Sequence, residues 1–333
     1  MGQLKLINID KDSNYDEWLA FRQNGLGASD IGTLMGLNPY KSKIELFYQK
    51  VGVIPIKQDE NIPMFYGNRL EDFVANMWEY FDGEDPESVI TNYNSGTKLK
   101  HCKAVTGYIV NSEYPNLFLS PDRIIVNKET DKLIYAGRLI EKNFKGVLEV
   151  KTINGFASKQ WDGGLPPSYV TQLQTYLFGL NLTHGEIVLF EDGRKLSSIP
   201  MELNTTLKQQ ILEAMEDFWE RVDAAKADPE NIQLYEPEPD GTEAFEKFLN
   251  DKYANSEIKT LQGTPELLQI ALTHKVIAAE IKELEAKSRE CSNLLKNTLK
   301  EHEAIDFGQS GKVIWRTDSR GVRSLRNNII VNE

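Results

Sequence analysis

Within the apolar run Val147-Leu148-Glu149-Val150-Lys151-Thr152, a carboxylate and an ammonium sit two residues apart. On a strand, residues two apart share a face, so Glu149 and Lys151 point one way while Leu148 and Val150 point into a core. A charged pair on an otherwise buried strand is costly unless the two groups serve each other or a site. Upstream, Ser120-Pro121-Asp122 sets another acid at the start of a second apolar run. Asp122, Glu149 and Lys151 thus make a two-part D…ExK pattern. Hydrolysing a phosphodiester requires a positioned water, relief of extra negative charge, and help for the leaving alkoxide. One or two magnesium ions bridged by carboxylates can supply all three. A lysine beside the metal can orient or help deprotonate the water and stabilise the developing charge. Taken alone the pattern is weak, because a surface hairpin with an exposed Glu–Lys pair would show it too.

The elements that must carry these residues can be read from periodicity. Residues 15–50 look helical, interrupted at Gly25 and Gly27, with Ser29 and Asp30 as a helix N-cap signal and a turn at Asn38-Pro39-Tyr40. Apolar positions at helical spacing run through 64–81. Short β-like runs follow at 104–110, 117–120, 123–126 and 146–152, then a helix at 167–179, a strand at 185–190 and a helix over about 204–226. This order predicts an α/β (α+β) fold, a central mixed sheet flanked by helices. Tyr235-Glu236-Pro237-Glu238-Pro239-Asp240-Gly241 reads as a linker, so a domain over 1–235 is expected, with a 236–333 tail. Thr264-Pro265 opens a helix. Its stripe has small and polar members, which favours a short helical hairpin or bundle arm over a long dimeric coiled coil, ending in a strand near 312–316 and a basic cluster of Arg316, Arg320, Arg323 and Arg326.

Composition excludes several alternatives. The 333 residues contain two cysteines and four histidines, none paired at metal-ligand spacing, so zinc, iron–sulfur and disulfide frameworks are not expected. A hard cation held by oxygen ligands is. No apolar stretch reads as a signal peptide or membrane span, so a cytoplasmic protein with no membrane partner is expected. The net charge of 38 − 50 = −12 argues modestly against a nucleic-acid partner, although a local basic groove can sit on an acidic protein.

Several blocks, in order, resemble the YqaJ-type and lambda-exonuclease-like family of phage recombination nucleases. They are Trp18-Leu19-Ala20-Phe21-Arg22, Gly27-Ala28-Ser29-Asp30, Asn38-Pro39-Tyr40 and Tyr66-Gly67-Asn68-Arg69-Leu70-Glu71. Ser120-Pro121-Asp122, Leu148-Glu149-Val150-Lys151-Thr152 and Gln172-Leu173-Gln174-Thr175-Tyr176 complete the set, which runs from about residue 15 to residue 180. The resemblance implies a PD-(D/E)XK restriction-endonuclease-like core and a magnesium-dependent DNA exonuclease, with manganese as a substitute. It implies that Glu71, Asp122, Glu149 and the backbone carbonyl of Val150 are metal ligands. It also makes Lys151 the catalytic lysine and Gln172 its supporting glutamine.

Arg22 and Ser29, seven residues apart, resemble the pair that contacts the phosphate at a DNA 5′ end in lambda-type enzymes. An Arg fork and a hydroxyl near a helix start suit an anion, while Asp30 reads as structural. The implied activity is digestion of linear duplex DNA from its ends, 5′ to 3′. A single-strand annealing protein and a ring-shaped homo-oligomer are the implied partners. An endonuclease of the same fold and a non-catalytic DNA-binding or scaffold protein are the alternatives. The arm at 127–145 is longer than the shortest family pattern needs, and the 236–333 tail lies outside the matched blocks.

Overall fold

The computed structural model of the chain describes residues 2–9, 15–56, 61–155, 164–255, 259–318 and 320–330. They divide into two compact units, Met1–Asn255 and Ser256–Glu333.

In chain order the first unit begins with β1 (Leu4–Ile7), α1 (Tyr15–Gln23), β2 (Leu26–Gly27), α2 (Ala28–Leu34) and α3 (Lys43–Val51). It continues through α4 (Ile62–Trp78), α5 (Ser88–Ser95), β3 (His101–Lys103), β4 (Tyr108–Asn111), β5 (Tyr114–Leu119) and β6 (Arg123–Val126). Then come β7 (Ile134–Tyr135), β8 (Arg138–Leu139), β9 (Gly146–Ile153), α6 (Pro167–Gly179), β10 (His184–Glu191) and β11 (Lys195–Glu202). Helices α7 (Thr205–Ala227) and α8 (Glu243–Lys252) close it.

The expected mixed sheet is present, in the strand order β11-β10-β9-β6-β3. β9 runs parallel to β10, which requires a crossover, and α6 lies in that connection. β6 lies antiparallel to β9 on the other side, with Arg123 opposite Leu148. Both faces of β9 are covered, which is why its first five residues are all buried. Leu148 and Val150 pack with Val74 and Trp78 of α4, while Val147 joins Leu173 and Leu177 of α6. A second sheet, β1-β4-β5-β2, carries β2 and so fixes the start of α2. Helix α2 approaches α6 closely at Gly32, where an added Cβ would stand 2.9 Å from the Cβ of Ser168.

Some expectations shift. The run at 104–110 becomes a strand only from Tyr108 on, as β4, after Gly107, whose φ of +99° no side chain adopts easily; β3 lies ahead of the run. The arm at 127–145 carries the two-residue ladder β7–β8, turned by Ala136 and Gly137 at positive φ. The unit boundary falls after Asn255 instead of after Tyr235. The cause is α8: Phe245 is buried in the main core, and Lys252 donates to Tyr48 Oη at 2.6 Å and Glu236 at 2.9 Å.

The second unit holds α9 (Pro265–Leu299), β12 (Ala304–Asp306), β13 (Gly311–Thr317) and β14 (Arg323–Ile329), the strands forming one antiparallel sheet. Thr264 caps α9 by accepting from Leu267 N. The expected hairpin is instead one continuous 35-residue helix, because no Gly or Pro interrupts it after Pro265. Arg316 lies on β13, and Arg323 and Arg326 lie on β14.

Candidate active site

Asp122 precedes β6 and is held against the neighbouring strand: its Oδ2 accepts the amide of Val150 at 2.7 Å. Glu149, projecting from the buried middle of β9, is 1% exposed. Its Oε1 accepts from Lys151 Nζ at 2.6 Å and from Gln172 Nε2 at 2.6 Å. Its Oε2 is buried and has no hydrogen-bond partner. Gln172 reaches the pair from α6 and also accepts from Lys151 through Oε1 at 3.3 Å, while the Lys151 ammonium stands 5.0 Å from the Tyr169 ring centre. Glu71, on α4, accepts from Arg123 Nη1 at 2.6 Å, and the other arm of that guanidinium bonds Asp72.

Burial and mutual repulsion dominate the electrostatics. Burial, then the charge of Glu149, pushes Asp122 up to about 7. Glu149 is raised by burial despite Lys151, and Glu71 by burial and the nearby Asp122. Burial works against the Lys151 ammonium, but Glu149 and Asp122 outweigh it and hold that group above the ordinary lysine value. Three carboxylates that raise one another's proton affinity are short of positive charge.

Arg22, on α1, lies at the same cavity. Its Nη2 donates to Asp30 at 3.3 Å, its guanidinium carbon stands 5.7 Å from the Trp18 ring centre, and its Nε is buried without a partner. Asp30 caps α2, accepting from Gly27 N at 3.0 Å, so Gly27 and not Ser29 is the N-cap residue. Ser29 is thereby left exposed at the rim of the cavity.

Beneath them lies Lys50, 1% exposed, a residue the sequence reading passed over. Its Nζ donates to the carbonyls of Arg22 at 2.8 Å and Gly25 at 2.7 Å, and to Asp30 at 3.2 Å. Despite its burial, Lys50, Arg22 and Lys41 hold Asp30 well below the usual carboxylate range. Burial and the neighbouring cations push Lys50 down to about 8.

One cavity of about 550 Å³ collects these groups: Arg22, Ser29, Glu71, Asp122, Glu149, Val150, Lys151 and Gln172 all line it. Residues far apart in sequence are therefore brought together. Tyr176, also at the wall, was not singled out; it lies four residues beyond Gln172 on the same helix face and donates to the Ser120 carbonyl at 2.8 Å. Arg123 was likewise missed, although a charge at the head of Arg-Ile-Ile-Val is a signal of the same kind as Glu149.

Residues 17–179 match the YqaJ-like viral recombinase domain. That stretch of the chain is similar to this domain. The YqaJ protein of Bacillus subtilis (strain 168), itself uncharacterized, is 27% identical over 304 residues, covering 90% of this chain and 82% of that protein. Among solved structures, the alkaline exonuclease LHK-Exo of Laribacter hongkongensis is 17% identical, with a TM-score of 0.46 over 66% of this chain and 98% of its own. A phage-related exonuclease from Haemophilus somnus 129PT is 11% identical, with a TM-score of 0.39 over 61% of this chain and 95% of its own. Among the described residues, no three His, Cys, Asp or Glu side chains form a ready-made metal cage, and no helix is long and apolar enough to cross a membrane.

Proposed function

We propose that the chain is a metal-dependent deoxyribonuclease that digests linear duplex DNA from its ends, 5′ to 3′, in phage-type recombination. The observation that carries the reading is the unpartnered, buried Oε2 of Glu149, in a cavity that Asp122, Glu71 and Lys151 also line. Such an orphan acceptor beside two more carboxylates fits a hard divalent cation, magnesium or manganese, and fits little else. Asp122, Glu149 and the Val150 carbonyl would hold the ion, with Glu71 joining them once it leaves Arg123. One or two ions bound there would lower the pKa of a water and offset the charge gathered on the phosphate.

The protein's own groups have separable tasks. Lys151, fixed by Glu149 and Gln172, offers its ammonium to the negative charge that develops during attack. Gln172 and Lys151 both engage Oε1 of Glu149, which leaves Oε2 for the cation. Arg22 and Ser29 would receive a terminal phosphate, Arg22 through its guanidinium at the cavity wall and Ser29 through its exposed hydroxyl. A single strand released by such digestion is the substrate an annealing protein would take up.

The test is a strand-labelled linear duplex, incubated with and without magnesium beside a closed circle. Short products from 5′ ends, only with the metal and with the circle intact, are expected. Cutting of the circle would point to an endonuclease. No cleavage with any divalent metal would leave a DNA-binding scaffold.

A further inference from the structure

Helix α9 spans about 50 Å at 1.5 Å per residue. Yet from Pro265 to Cys291 every residue is exposed. Six of its large apolar residues, Leu267, Ile270, Ile277, Ile281, Leu284 and Leu295, nevertheless fall on a seven-residue repeat, which His274, Ser288, Cys291 and Thr298 complete. One set of positions, seven apart, is Leu267, His274, Ile281, Ser288 and Leu295; the second, three residues on from each, is Ile270, Ile277, Leu284, Cys291 and Thr298. A repeat of 3.5 residues is the seam of a supercoiled helix pair; a helix that merely lies on a globular surface follows 3.6. Ile270 is 65% exposed and Leu284 63%, so the seam is uncovered among the described residues. A shorter apolar row, Leu268, Leu272 and Val276, lies outside it.

We infer that the seam of α9 is covered by α9 of a second copy of the chain, packed antiparallel. Two independent features select that occupant and direction. The first is size. With the helices reversed about a point between Ile281 and Leu284, Ile281 of one copy meets Leu284 of the other. Ser288 then meets Ile277, Leu295 meets Ile270, Leu267 meets Thr298, and His274 meets Cys291. All ten seam positions are paired, and each small member lies opposite a larger one, as knobs-into-holes packing requires. A parallel pair would instead set Ser288 on Ser288 and His274 on His274.

The second feature is charge. In the antiparallel register Glu280 flanks the seam beside Lys287 of the other copy, twice by symmetry. In the parallel register Glu280 would flank Glu285 of the other copy, a like-charge contact. Lys287 now bonds Glu283 one turn back at 2.6 Å, an exposed pair that exchanges at little cost. An antiparallel pair is two-fold and closed, so it doubles the single chain or whatever ring the nuclease units build.

The test is the mass of the full-length chain by sedimentation at tens of micromolar. Joint Ile277→Glu and Ile281→Glu should halve it, and Glu280→Lys should weaken the pair by about tenfold. Adding Lys287→Glu to Glu280→Lys should restore it. All four side chains are exposed, and circular dichroism confirms that the variants stay folded. A monomeric wild type, an unchanged mass in the Ile277→Glu/Ile281→Glu protein, or tighter association in Glu280→Lys would overturn the proposal. The last is what a parallel pair gives. None of these residues lines the nuclease cavity, so cleavage of a linear duplex is read independently.

Discussion

The side chain of Asp122 and the backbone amide of Val150 are joined by a 2.7 Å hydrogen bond between neighbouring strands. The acid is thereby fixed to the segment that carries Glu149 and Lys151, although 27 residues lie between positions 122 and 150.

Replacing Lys151 by Ala removes the ammonium but leaves the covering helices in place. Cleavage should fall by about 10²- to 10⁴-fold, with duplex binding retained and the metal-free melting temperature lowered, because buried Glu149 loses its cation. Gln172→Ala should cost about 10- to 100-fold, as loss of a group that orients a metal ligand does. Single-turnover rates and gel-shift titrations read both; full-rate cleavage by Lys151→Ala would dismiss its assigned role.

The metal-free protein should lose stability as pH rises from about 4 to 7. Asp122 titrates near 7 when folded, against 3.8 ordinarily. Between those values the folded state holds a proton that the unfolded chain has released, so raising the pH favours unfolding. Glu149 and Glu71 shift the same way. Melting temperatures across that window should fall, Asp122→Asn should flatten the slope, and magnesium at pH 8 should raise the melting temperature. A metal-free curve that climbs with pH would contradict the electrostatic account.

Lys50→Met keeps volume but leaves Asp30 with one fewer cation and two carbonyls without their donor. Breaking such a buried pair costs roughly 3–5 kcal/mol. Denaturant titration measures the loss. In the survivors, discrimination between 5′-phosphorylated and 5′-hydroxyl duplexes should shrink, since Lys50 anchors the backbone of Arg22. Discrimination equal to wild type would show that the anchor is irrelevant to end recognition.

Gly32→Ala drives a methyl group against Ser168, where only 2.9 Å separates the two Cβ positions. Overpacking of this kind costs about 1–3 kcal/mol. Adding Ser168→Gly should recover much of it in a double-mutant cycle, because the two atoms share one space.

Much of the site was legible because catalytic side chains break local patterns. Glu149 and Lys151 interrupt a buried strand, and the strand at 123–126 and the helix at 167–179 fall where periodicity puts them. β11 escaped notice because Ser197, Ser198 and Pro200 are poor strand residues; it is an edge strand, where Pro is tolerated. Lys50 was invisible for a different reason. A lysine near the end of an amphipathic helix reads as solvated, and only the tertiary return of α1 and α2 turns it into a buried donor. The unbroken α9 departs from the expected hairpin because small and polar residues in a helical stripe fit close neighbours within one chain as well as a single exposed helix.

The parallel pairing of β9 with β10 has a consequence for synthesis. A chain emerging from the ribosome can zip β6 to β9 early, but the other edge of β9 stays bare until residues 184–191 arrive. That edge is apolar and unpaired, a template for unwanted strand addition. Chains stalled before Gly185 should therefore be protease-sensitive and sticky, and those stalled past Asn255, with α7 and α8 in the core, resistant. The same delay keeps an incomplete chain from assembling a competent site: Gln172 can be seated against Glu149 only when α6 is clamped by the strand that follows it.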